Sequence, residues 1–233
     1  MDNLVVYVRH AESESNLILH DNKNKSLTKS QENIINSHND PDITSLGIEQ
    51  SISTSICILN KIKEMDITTI DVWISPYQRA QDTASYFIEL CQKERIQINI
   101  KTVVELQEYT SMKKTISDEQ KKIGMMIHET KDIFIEQIIK FNDILKINLK
   151  EQTKGNILII FGHSLFFSNL ISYHVNHEQF KPKEISSLQL PNCSISCENY
   201  DFNQLRWNTY VIGNITHLSK NIVTGEHVPF GFV

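Results

Sequence analysis

Short apolar runs that stop at polar residues and lead into helical patterns recur along this 233-residue chain, and no other feature restricts its fold as strongly. The first run, Leu4-Val5-Val6-Tyr7-Val8, is rich in β-branched residues and predicts a buried strand. It stops at Arg9-His10. Further strands are predicted over 68–74 (TTIDVWI), over 96–104 (IQINIKTVV) and over 156–161 (NILIIF), the last being the most apolar of all. An open α/β sheet places its chemistry at the carboxyl ends of its strands, where loops lead into helices. Arg9 and His10 at the first such end therefore suggest an anion site beside a titratable or nucleophilic imidazole. On this stretch alone, a surface cation and a rim histidine fit equally well.

The segments between the strands read as follows. Residues 17–41 are rich in Asn, Lys and Ser, lack an apolar period and predict a long excursion with at most short helices. Ile48, Ile52, Ile56, Leu59 and Ile62 then recur as one face of a helix, with Thr44 or Ser45 as its N-cap and Gln50 near its start. After the second strand, SPYQRAQDTA offers Ser75 as a cap and Pro76 at the first helical position, where its missing N–H costs nothing. Ala80, Ala84, Phe87 and Cys91 continue an apolar stripe. Arg79 lies near the amino-terminal end of that helix, where the backbone dipole is already positive; an arginine there makes sense if the site holds an anion.

The third strand runs into Glu105-Leu106-Gln107-Glu108, two carboxylates at another strand end. A helical pattern follows from Ser117 to about Lys150, with Ser117 and Gln120 as a capping box. Its apolar face is Ile123, Ile127, Phe134, Ile138, Phe141 and Leu145. Gly124 predicts a break near its start, and Gly155 ends it. NILIIF leads into Gly162-His163-Ser164 and a helix from Leu165 to about Val175, repeating the logic of the first junction. Beyond the breaks at Pro182 and Pro191, Cys193–Tyr200 and Leu205–Ile212 alternate as a hairpin, and the tail from Gly213 reads as irregular.

Composition narrows the function classes. Hydrophobic residues make up 40% and charged residues 22%, which fits a globular protein with an ample core. A formal charge of −5 argues against a general nucleic-acid coat but leaves room for a local basic pocket. No apolar run approaches the ~18 residues of a membrane span, and Met1-Asp2-Asn3 leads straight into the first strand without a signal-peptide pattern. Cytoplasmic residence, with neither nucleic acid nor membrane as partner, is the expectation. Cys57, Cys91, Cys193 and Cys197 are then expected to be reduced, packed thiols, with Cys193 and Cys197 on one strand face and no zinc site.

Taken together, RHAESESN after strand one, SPYQRAQDTA after strand two, LQE after strand three and FGHS after strand four resemble the histidine phosphatase superfamily, the phosphoglycerate mutase-like proteins. ITSLGIEQS, NCSIS and His217-Leu218 are similar to that family as well, so the resemblance runs from about residue 3 to residue 218. It implies an α/β fold, a three-layer sandwich with a mostly parallel central sheet flanked by helices. It also implies a single domain over residues 1–233, with cap insertions at about 17–41 and 110–130. Carried onto this chain, His10 is the nucleophile. Arg9, Arg79 and His163 match the phosphate pocket, Asn16 an additional phosphate contact, and Glu108 the proton donor, with Glu105 as runner-up. Ala11 stands where the family's RHGE has glycine, and Ser164 stands where many members have glycine after the second histidine.

The chemistry needs these residue types whatever the name. Phosphoryl transfer spreads negative charge over the equatorial oxygens, so catalysis rests on positioning and charge stabilisation. Guanidiniums stay charged and offer paired N–H donors to those oxygens. A nucleophilic imidazole must be neutral at one nitrogen, which nearby cations favour. The leaving alkoxide needs a proton, which a carboxyl group supplies. No metal or other cofactor is required. ELQEYTSMKK lacks the extended acid motif of the mutase branch, which favours a phosphomonoesterase over a phosphoglycerate mutase-type phosphotransferase or a non-catalytic phosphate-binding scaffold. A phosphorylated small molecule or a phosphoprotein is the expected substrate. Lys113, Lys114, Lys121 and Lys122 make a polyphosphorylated one conceivable.

Overall fold

A computed structural model describes residues 3–22, 26–36, 40–109, 118–128, 130–152, 156–177, 179 and 189–225. Its elements run β1 (Leu4–Arg9), α1 (Glu14–Asp21), α2 (Lys29–Asn36), α3 (Ser45–Glu64), β2 (Thr69–Ile74), α4 (Gln78–Lys93), β3 (Gln97–Thr102), α5 (Asp118–Lys122), α6 (Lys131–Glu151), β4 (Ile157–Gly162), α7 (Ser164–Val175), β5 (Ile195–Asp201) and β6 (Arg206–Asn214). Short 3₁₀ turns cover Val104–Leu106 and Lys220–Ile222.

The six strands form one sheet in the order β3-β2-β4-β1-β5-β6. The first four are mutually parallel, β5 runs antiparallel to β1, and β6 antiparallel to β5. Both faces are covered. Val5, Tyr7, Leu158 and Ile160 point into a core made with Phe134, Phe141, Phe166 and Leu170 of α6 and α7. Their neighbours Val6, Val8, Ile157 and Ile159 point the other way, onto Ile58 and Ile62 of α3 and Ala84 and Phe87 of α4. A strand buried on both faces has no reason to alternate, which is why β1 and β4 read as unbroken apolar runs. Behind β5, His174 and Glu198 lie 2.7 Å apart with no exposure, and Trp207 stacks on the imidazole at 4.0 Å. No helix among the described residues is long and apolar enough to cross a membrane.

Five local expectations need correction. On α3, Leu59 and Ile62 are buried, but Ile48, Ile52 and Ile56 are 36%, 41% and 46% exposed. The inward face of its first turns is Gly47, Gln50, Ser51, Thr54 and Ser55, because it rests on backbone loops instead of the sheet. Thr44 does cap this helix, accepting from the Gly47 N–H. Ser75 and Pro76 lie before α4, whose N-cap is Tyr77 with no capping side-chain bond. Ile123 and Ile127 belong to the break between α5 and α6, where Gly124 has φ +91°, and not to the face of α6. Cys193 sits in a turn at φ +56° ahead of β5, so it shares no strand face with Cys197. The tail is less irregular than expected: β6 continues to Asn214, and the 3₁₀ turn follows.

Lys23, Lys25, His38, Lys113, Lys114, Ser117, Gly155, Pro182 and the chain from Glu226 onward fall outside the described residues. Of the lysines noted in the second insertion, Lys121 is paired with Asp118 at 3.0 Å.

Candidate active site

The site forms at the carboxyl ends of β1, β2 and β4, which the parallel register brings level: Arg9 pairs with Gly162, and Ile74 with Phe161. The residues that follow these ends are His10, Ser75 and His163. The His10 N–H donates to the Gly162 carbonyl at 2.8 Å, and the Ser75 N–H to the Phe161 carbonyl at 3.0 Å. Arg79 joins them from the first turn of α4. All four of Arg9, His10, Arg79 and His163 are buried.

Hydrogen-bond logic fixes both tautomers. His10 Nδ1 lies 2.7 Å from the Ala11 carbonyl oxygen, which can only accept, so Nδ1 carries the proton. Nε2 is then the lone-pair nitrogen, and it accepts from Arg79 Nε at 3.3 Å. Burial, reinforced by Arg79 and Arg9, holds the His10 pKa well below the ordinary imidazole range, against the opposing pull of the Ala11 carbonyl. The imidazole is thus a neutral Nδ1–H tautomer. His163 is the reverse: Nδ1 sits 3.3 Å from an Arg79 terminal nitrogen, which only donates, so Nε2–H points at Ser75 Oγ, 2.7 Å away. One guanidinium therefore serves both rings. Arg79 also lies over the Tyr77 ring at 4.4 Å.

Arg9 donates through a terminal nitrogen to the Leu190 carbonyl, and its buried Nε has no hydrogen-bond partner among the described residues. Burial lowers its pKa to about 10, so it remains a cation. Glu108 is half-buried. It accepts from the Tyr109 N–H at 3.1 Å and the Leu165 N–H at 3.3 Å. Burial raises its pKa, and its two amide bonds together with Arg79 and Arg9 pull the other way. Glu105 points elsewhere: it pairs with Lys140 at 2.9 Å and lines a separate cavity of about 260 Å³ with Glu136 and Lys140.

A layer of polar side chains with partners far away in sequence holds the loop after β1. Thr83 Oγ1 accepts from the Ala11 N–H at 2.9 Å and donates to the Arg79 carbonyl at 2.7 Å. Gln50 accepts from the Glu12 N–H at 2.8 Å and donates to the Ile222 carbonyl at 2.7 Å and to Thr224 Oγ1 at 2.8 Å. Asn192 donates to the His10 carbonyl at 3.1 Å and to Asn16 Oδ1 at 3.0 Å. That oxygen also faces the Ser13 N–H and hydroxyl, at 3.3 Å and 3.1 Å. The Asn16 carbonyl end is therefore turned inward, leaving its amide end to turn outward. Gln50, Ser75, Thr83 and Asn192 were not candidates from sequence, although Thr83 stands one helical turn after Arg79 and Asn192 opens NCSIS.

Two arginines, two oppositely tautomerised histidines and a half-buried carboxyl group at the carboxyl end of a parallel sheet define an α/β protein with a pocket suited to phosphoryl chemistry. The model of the histidine phosphatase superfamily (branch 1) matches residues 5–212, and the chain belongs to that superfamily. Membership places it among proteins of phosphatase and mutase type. Among solved structures it is similar to a mycobacterial hydrolase ("Mycobacterial hydrolase 2"), at 12% identity and TM-score 0.59 with 94% of each chain covered. It is also similar to phosphoglycerate mutase from Plasmodium falciparum, at 14% identity and TM-score 0.50, covering 99% of this chain and 96% of that one. At such identities the likeness is one of fold. No curated protein sequence matches.

Proposed function

We propose that the protein is a metal-independent phosphomonoesterase acting through a phosphohistidine at His10. One observation carries this reading: His10 Nδ1 is tied to the Ala11 carbonyl, so the neutral Nε2 is left facing the Arg79 guanidinium, where a phosphoryl group would be held. The unpartnered buried Nε of Arg9 is a second donor suited to an anion.

In the first half-reaction, Nε2 attacks phosphorus and forms the P–N bond as the ester P–O bond breaks. The proton of Glu108 passes to the departing alkoxide. The Ala11 carbonyl stabilises the Nδ1–H as the ring acquires positive charge; Arg9, Arg79 and the amide of Asn16 hold the equatorial oxygens, and His163, anchored on Ser75, positions the Arg79 guanidinium. In the second half-reaction, water attacks phosphorus, the Glu108 carboxylate takes its proton, and the P–N bond breaks to release phosphate and neutral His10. General-acid assistance of this kind is worth about 10²–10⁴ in rate. Glu108 is preferred to Glu105 as the acid because its carboxyl group interacts with both guanidiniums, whereas Glu105 is engaged by Lys140. Hydrolysis is preferred to mutase transfer because ELQEYTSMKK lacks the extended mutase motif. Phosphorylated small molecules and phosphoproteins are the substrate classes.

The test is hydrolysis of p-nitrophenyl phosphate in the presence of EDTA, comparing the protein with His10→Ala. Turnover together with an acid-labile phosphoprotein, both lost in the variant, is the expected result. Wild-type inactivity from about pH 4 to pH 8 on this compound and on a panel of phosphate esters would refute the assignment.

A further inference from the structure

The carboxylate of Asp40 lies at the outer end of the Arg79 side chain. Its Oδ1 is 3.4 Å from the Arg79 backbone nitrogen and 3.7 Å from an Arg79 terminal nitrogen. It also accepts from the backbone N–H of Gln78. Helix α4 has no capping side chain of its own, so Asp40, reaching across from the segment before α3, fills that role. Its side chain is 17% exposed and that of Arg79 10%. The first-turn amides of α4 and the outer face of Arg79 are donors that an incoming phosphoryl group would draw on electrostatically, and a negative charge already sits there.

We propose that Asp40 is a resident counter-anion of the catalytic pocket, engaging Arg79 and weakening the pocket for anions as long as it is ionised. This rests on the phosphatase reading for its purpose but not for its test. Asp40 is thereby a specificity-determining residue. It disfavours multiply charged substrates, whose further negative groups would meet it, and it makes anion affinity depend on its own protonation. The groups that face it are Arg79 and the α4 amides, which favour its charge, and Asp82 with its buried setting, which oppose it. Burial is the largest influence and raises its pKa, so it becomes neutral above the pH at which an exposed aspartate would. Asp40→Asn removes the charge while keeping an oxygen for the helix amides, so Arg79 stays in place. Asp40→Ser keeps a capping oxygen too and serves if the first variant folds poorly.

The experiment is calorimetric titration with sulfate, a dianion that keeps its charge across the range. At neutral pH the variant should bind sulfate about tenfold tighter than wild type, an effect expected for removal of one nearby like charge in a partly buried site. As the pH falls the gap between the two proteins should narrow, because protonation removes the wild-type Asp40 charge, while Glu108 titrates in both. With p-nitrophenyl phosphate, KM should fall in the variant and kcat should hold. Equal or weaker sulfate binding by the variant at neutral pH, or a gap that persists on acidification, would overturn the role of Asp40 and leave the phosphatase reading standing. Failure of both proteins to bind sulfate would remove the anion pocket and with it both readings.

Discussion

Replacing Gly47 by alanine should damage catalysis far more than it damages the fold. Gly47 lies in the first turn of α3, and a Cβ built there would stand 2.3 Å from the Glu12 carbonyl oxygen and 3.3 Å from its carbonyl carbon and its nitrogen. The closest comfortable C···O contact is about 3.3 Å, so the two backbones must part by roughly 1 Å. Nothing at that point can yield as a side chain would. Glu12 is held by Gln50 at its N–H and by the Thr44 N–H at its carbonyl, and it is only two residues from His10. The displacement therefore passes to the nucleophile loop. A misplacement of about 1 Å can cost about 10²-fold in rate. Overpacking of this kind costs about 1–3 kcal/mol, and alanine recovers about 1 kcal/mol of helix propensity over glycine. The net stability loss should thus be about 0–2 kcal/mol, readable from urea unfolding, while kcat/KM for p-nitrophenyl phosphate falls by about 10². A variant within twofold of wild-type kcat/KM would show that α3 does not hold the loop in place.

Two further outcomes follow from charge states. His10 must be neutral to attack and its pKa is lowered, whereas Glu108 must be protonated to donate and its pKa is raised. Activity should therefore be bell-shaped with an acidic optimum. Its acid limb should lie well below the usual imidazole range and its alkaline limb above the usual carboxylate range, and Glu108→Gln should abolish the alkaline limb; a profile centred above neutrality would contradict both assignments. On the opposite face of the sheet, Glu198→Ala would strip the buried His174 of its carboxylate and leave Thr209 without its acceptor. That should cost about 3–5 kcal/mol in denaturant unfolding while leaving kcat of the folded protein intact. A loss below about 1 kcal/mol would show that the pair is not a structural keystone.

Legibility in the sequence tracks how local the determining physics is. β1 and β4 announced themselves because both their faces are buried, and Arg9, His10 and His163 because they stand where those strands stop. Arg79 stood out through its misfit with the helix dipole. The inner face of α3 was misread because periodicity counts apolar residues, and this face meets carbonyls and amides through Gly47, Gln50 and Thr54. Ser75 looked like a cap by a short-range rule, yet its partner is a histidine nitrogen 88 residues away. Asp40 vanished into a polar stretch, because capping another helix from a distance leaves no mark in local sequence. What sets Glu105 apart from Glu108 is its pairing with Lys140, a residue in a helix still to come.

The clasp made by Gln50 and Asn192 also bears on the timing of folding. Gln50 reaches residues 172 and 174 positions later, and Asn192 reaches back 182 positions to the His10 carbonyl. β1 itself is flanked by β4 and β5, both made much later. Closing such long loops is entropically slow, so a chain emerging amino-terminus first carries its reactive histidine long before it can shape the loop around it. His10 is synthesised well before Asn192 and Ile222, whose contacts shape the loop around it. During synthesis the imidazole is present without its clamp, so on the proposed mechanism turnover has to wait until the stretch carrying Asn192, Ile222 and Thr224 has docked.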